Sequence, residues 1–130
     1  MNAHGHAPLR LRTVRDVTEA LTRLPVPAFV YENPSGQILH CNRHFEMLLG
    51  YSHDEVLSLN VENIQPAEHL DACHEAHAKV PPEGLLRWQY CRKDSSVLDV
   101  KVHYRDVEYM AETAAMTKGR FVVVEFWQDA

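Results

Sequence analysis

Nine histidines stand out in a chain of 130 residues. Imidazole titrates near neutrality and is the commonest metal ligand, so spacing decides whether these histidines form a site. His74 and His77 fall in Asp71-Ala72-Cys73-His74-Glu75-Ala76-His77. On a helix that spacing makes the two rings neighbours on one face. A zinc ion there needs two further donors, and Cys73 and Glu75 point elsewhere around the helix. His4 and His6 share a polar tail, which does not make a selective site. The plain reading is that such histidines edge a helix stripe with one nitrogen in water, and no metal site is expected. Cys41, Cys73 and Cys91 are too few and too scattered for a disulfide framework or a four-thiolate centre. There is no glycine-rich phosphate loop, no Ser-His-Asp arrangement with supporting context and no metalloprotease helix motif. Glu46, Asp54, Glu55 and Glu68 read as solvated helix charges. The chain is not expected to be an enzyme; catalysis would belong to an output domain outside it.

The elements that must position these groups fit into one domain. Hydrophobic residues make up 45% and charged residues 24%, an ordinary globular balance. The net charge of −5 argues against nucleic acid, which needs a basic surface. No apolar run approaches the roughly 20 residues of a membrane span. Met1 to Pro8 has no apolar signal region and reads as a flexible tail. A cytoplasmic domain is expected.

Leu9 to Leu24 is expected to be a helix, with Thr13 as cap and Asp16 three residues on. Val14, Val17, Leu21 and Leu24 form a short a/d seam, a candidate dimerisation stripe that can equally pack on its own domain. Leu24-Pro25-Val26-Pro27 stops the helix. Ala28 to Glu32 and Gln37 to Cys41 read as a hairpin about the turn Asn33-Pro34-Ser35-Gly36. Short helical pieces follow. Asn42 caps Arg43 to Leu49, which ends at Gly50, and Ser52 with Glu55 forms a capping box. Asn60 to Ile64 is a brief turn, and Pro66 opens a longer helix to about Lys79. Leu85 to Arg92, Val97 to Asp106 and Arg120 to Gln128 read as strands, with Ala111 to Lys118 a small-residue insertion expected to be mobile. The fold class is α+β: a five-stranded antiparallel sheet with short helices on one face, plus an N-terminal amphipathic helix.

This order resembles a PAS domain over about residues 25 to 130. The residues that carry the likeness are Gly36-Gln37-Ile38-Leu39, Asn42, Leu49-Gly50-Tyr51-Ser52, Glu55-Val56, Ile64-Gln65-Pro66, Arg92-Lys93-Asp94-Ser95-Ser96 and the strand Val122 to Gln128 with Asp129-Ala130. Ser95 departs from the pattern, since the family usually has glycine there.

The resemblance implies a sensor and dimerisation module of a bacterial signalling protein, such as a two-component histidine kinase or a diguanylate cyclase. It implies a homodimer and an output domain in the same or a partner chain. Signals would pass through the N-terminal helix and the final strand, as a population shift between two packings. The cavity of such a domain would lie between the sheet and the long helix. Its candidate walls are Phe29, Tyr31, Leu39, Phe45, Leu49, Leu70, Cys73, His77, Trp88, Tyr90, Val102, Val124 and Phe126. A small-molecule ligand or a core filled by its own side chains are both open. Haem is the alternative cofactor: His74 stands near the family's iron-ligand spacing after Pro66, whereas periodicity turns His77 inward with Leu70 and Cys73. Flavin is not expected, because the light-sensing cysteine motif is absent.

Overall fold

The computed structural model describes residues 11–66 and 83–126. The elements run α1 (Val14–Arg23), β1 (Ala28–Glu32), β2 (Ile38–Cys41), α2 (Arg43–Leu49), α3 (His53–Leu57), a 3-10 turn (Val61–Ile64), β3 (Glu83–Cys91), β4 (Val97–Met110) and β5 (Met116–Phe126). The five strands form one antiparallel sheet in the order β2-β1-β5-β4-β3. The long helix expected after Pro66, with Leu70, Cys73, His74 and His77, lies outside the described residues.

Local capping chemistry sets the helices. The Thr13 hydroxyl accepts from the Asp16 amide, and the Asp16 carboxylate accepts from the Thr13 and Arg12 amides. That reciprocal box starts α1 at Val14, later than the sequence reading. Ser52 and Glu55 make the same exchange at α3. Gly50 ends α2 in the left-handed region at φ 85°, which costs a side chain but not a glycine, and reverses the chain into α3.

The sheet buries both faces. Its inner face, under α2, α3 and the 3-10 turn, carries Phe29, Tyr31, Tyr90, Val100, Val102, Val122 and Val124 packed against Phe45, Leu49, Val56 and Ile64. Its outer face carries Val30, Tyr109 and Phe121 packed against α1 through Val17 and Leu21. Alternation along each strand sorts the residues between the two layers. One residue breaks the alternation. Val30 pairs with His40 but Tyr31 pairs with Ile38, so Leu39 is the extra residue of a bulge in β2.

β4 and β5 are longer than the sequence reading. They pair continuously from Val100↔Phe126 to Met110↔Met116, so Met116 to Lys118 belong to β5 and the connection shortens to Ala111 to Ala115. The turn is closed by Ala111 N–H to the Ala115 carbonyl at 2.8 Å, and Ala114 takes φ 67°. The tip of this hairpin is tied back: the Met110 amide donates to the Arg12 carbonyl at 2.8 Å.

Asn42 does more than cap α2. Its Oδ1 accepts from the Phe45 amide (3.0 Å) and from the Ala28 amide (3.1 Å). Its Nδ2 donates to the Leu21 carbonyl (3.1 Å) and the Val26 carbonyl (2.8 Å). The side chain thereby joins the end of α1, the start of β1 and the start of α2. Asn42→Ala orphans the buried Ala28 and Phe45 amides and takes a donor from the Leu21 and Val26 carbonyls, and should cost about 3 kcal/mol in denaturant unfolding. Asn42→Asp should cost more, because a carboxylate oxygen would face the Leu21 and Val26 carbonyls.

The β3–β4 hairpin holds Ser95 at φ 74°, between Ser95 N–H to the Arg92 carbonyl and Arg92 N–H to the Ser96 carbonyl. A side chain pays strain in that region that glycine avoids. Ser95→Gly should therefore raise stability by roughly 0.5 to 1 kcal/mol, read as a higher melting temperature.

Candidate functional site

On the inner face, β1, β3, β4 and β5 leave a cavity of about 50 Å³. Strand alternation supplies its walls: Phe29 and Tyr31, then Leu86, Trp88 and Tyr90, then Val102 and Tyr104, then Arg120 and Val122. Val61 and Gln65, from the 3-10 turn and its end, join them among the described residues. The volume admits a few waters or a small organic group; a drug-sized ligand takes about 300 Å³ or more.

The polar groups around this apolar space are few and fixed. Arg120 is 5% exposed. Its Nε donates to Asp106 Oδ1 at 2.7 Å and its Nη1 to the Tyr31 hydroxyl at 3.3 Å. The guanidinium lies 5.0 Å over the Tyr104 ring, a cation–π contact. Burial alone would lower the Arg120 pKa; the hydrogen bonds and charge of Asp106 and Tyr31 outweigh it and raise it, so the guanidinium is charged. Asp106 sits nearer solvent, with its side chain 38% exposed. Across the cavity, the Trp88 indole donates to Gln65 Oε1 at 2.5 Å, and Gln65 Nε2 donates to the Val61 carbonyl at 3.2 Å.

Of the wall residues read from sequence, Phe29, Tyr31, Trp88, Tyr90 and Val102 surround the cavity. Phe45, Leu49 and Val124 are buried in the same core but stand back from it. Leu39 packs with the outer cluster, because the β2 bulge turns it to the other face. Phe126, at the end of β5, is 56% exposed and borders a surface groove with Pro27 and Met47. Leu70, Cys73, His74 and His77 lie outside the described residues. No histidine or cysteine is among the described wall residues. Val61, Gln65, Leu86, Tyr104, Arg120 and Val122 were missed. The signal for Arg120 was present: it shares the parity of Val122 and Val124, so it faces inward with them.

The α1 seam is spent within the chain. Val17 and Leu21 are 0% and 2% exposed against the outer face, and Val14 and Leu24 flank them half-buried. Val17 and Leu21 thus take the packing on their own domain that the stripe also allowed.

The sequence matches the family model of the PAS domain over residues 25–129. The chain belongs to the PAS family. Solved PAS structures share its fold. One is a PAS domain from a two-component sensor histidine kinase, with a TM-score of 0.68, 17% identity, and 87% of this chain and 95% of that one covered. Another is the PAS domain of an HTR-like protein from Haloarcula marismortui, with a TM-score of 0.67, 17% identity, and 87% and 90% covered. A third is the PAS-B domain of Drosophila melanogaster Cycle with bound ethylene glycol, with a TM-score of 0.63, 15% identity, and 78% and 100% covered. The search of curated proteins gave no match. Among the described residues of this PAS domain, no helix is long and apolar enough to cross a membrane.

Proposed function

We propose that this PAS domain is a sensor module of a signal-transduction protein, and that its inner-face cavity takes a small organic ligand carrying a carboxylate. The observation that carries this reading is the buried Arg120 guanidinium at an aromatic-lined cavity of about 50 Å³. Asp106 offsets its charge, but from the solvent side. An anionic oxygen entering from the cavity side would meet a charged donor in a low-dielectric setting, where such hydrogen bonds are strong. The aromatic walls would take the rest of the molecule. The ethylene glycol bound to Cycle PAS-B supports a guest of this size.

The relay follows from the two-sidedness of β5. Arg120 faces the cavity, and its neighbour Phe121 is buried against the α1 cluster. A ligand that shifts Arg120 shifts the backbone that positions Phe121, and so biases α1. With isotope-labelled protein, acetate, propionate or succinate should move the amide signals of Arg120, Phe121 and Leu21. Arg120→Met should abolish that response; Asp106 loses its partner, but its side chain is 38% exposed and water can take up the charge. No response to any of these acids, or the same response in Arg120→Met, would sink the ligand reading.

The same reading makes the module a homodimer, through the part of the outer face beside α1. Leu24, Leu85, Phe121 and Val123 line an apolar groove there, rimmed by Arg23, Glu83, Arg105 and His103. Leu85 is 53% exposed, and a rim with both signs of charge can pair with its own copy. Light scattering should give a dimer, and Leu85→Asp should give a folded monomer. A monomeric parent protein would overturn this.

A further inference from the structure

Away from the cavity, three side chains with different donor atoms converge. Cys41 ends β2, Glu46 lies in α2, and His53 opens α3. Cys41 Sγ stands 3.7 Å from Glu46 Oε2 and 3.7 Å from His53 Nδ1, while His53 Nδ1 and Glu46 Oε2 are 2.7 Å apart. Glu46 is thus not the solvated helix charge that sequence alone implied. We propose that Cys41, Glu46 and His53 form a zinc-binding site with an open fourth position.

Bond lengths of about 2.0 to 2.3 Å in a tetrahedron place such ligand atoms about 3.3 to 3.6 Å apart. Both sulfur distances already lie close to that range. Only the His53–Glu46 pair must open, by about 0.6 Å, as the metal replaces the proton between them. His53 can give that freely, since its side chain is 53% exposed. With its thiol proton released as the metal binds, Cys41 would add a thiolate to one imidazole nitrogen and one carboxylate, a borderline-soft donor set that suits zinc over magnesium or calcium.

The backbone holding the ligands is pinned. Asn42, next to Cys41, fixes the junction of β2 and α2. The α2–α3 reversal at Gly50 and the Ser52–Glu55 box bring His53 back over Glu46. A bound ion would clip β2, α2 and α3 together. Its fourth position would face solvent beside His53, open to water or to a donor from a binding partner.

Cobalt(II) titrated into the reduced, full 130-residue chain tests the site. One equivalent should give a thiolate-to-cobalt charge-transfer band and the visible bands of tetrahedral cobalt. Both should vanish in Cys41→Ser and persist in Cys73→Ser and Cys91→Ser. Zinc, competed against a chromophoric chelator, should bind at least about 100-fold more weakly to Cys41→Ser, His53→Ala and Glu46→Gln. Far-ultraviolet circular dichroism checks that each variant is folded; His53→Ala, at an exposed ring, keeps the test valid if Cys41→Ser does not fold. No charge-transfer band in the parent protein, or a band that survives Cys41→Ser, would overturn the proposal. Zinc binding unchanged in His53→Ala would overturn it as well, by placing the ion on the chain's other histidines.

Discussion

The hydrogen bonds of a single amide side chain decide how the layers of this molecule meet. Asn42 faces two backbone N–H groups with its oxygen and two carbonyls with its nitrogen, all inside the fold. Aspartate has the acceptors but not the donors, leucine has neither, and glutamine is a methylene too long for the same reach. The groups it serves come from three separate elements, so its cost and benefit are collective. With them satisfied, α1 must stop near Leu24 and β1 must start at Ala28. The chain must turn from β2 into α2 at this point. The two faces of the sheet then acquire their covers in a fixed relation to each other.

β5 is the strand whose side chains meet both covers. It lies between β1 and β4, so its backbone is paired on both sides. Its side chains divide between the inner cavity, through Arg120 and Val122, and the α1 cluster, through Phe121. Buried arginine in such a strand is expensive to desolvate and is retained here with a carboxylate, a hydroxyl and an aromatic face around it. The apolar alternatives would pack as well. The arginine's charge is held by these three neighbours at the cavity wall.

Much of this was legible in the order of residues. Caps are local codes, so Thr13 with Asp16, Asn42, and Ser52 with Glu55 placed the helix starts within a few residues. The motif string carried the family, and the family resemblance put Phe29, Tyr31, Trp88, Tyr90 and Val102 among the cavity walls. What failed had physical reasons. Leu39 was placed inward because a bulge changes parity without leaving a mark in composition. The Ala111–Lys118 stretch looked like a loop because small and charged residues hide the register of an exposed hairpin end. The α1 stripe showed that one helix face must be buried, but periodicity carries no information about what buries it. Cys41, Glu46 and His53 belong to three elements, and only the reversal at Gly50 brings them together.

The tie between the Met110 amide and the Arg12 carbonyl bears on how α1 can move. At its other end the helix is gripped through the Leu21 carbonyl by Asn42. A rod clamped at both ends cannot swing outward as a lever does; it can roll about its long axis, or slip along it by small amounts. Rolling would exchange which side of the stripe presses on Phe121 while leaving both clamps intact. A force arriving from the N-terminal side loads the tip of the β4–β5 hairpin before it reaches the helix. Rotation about its own axis is therefore the motion of α1 that these two contacts oppose least.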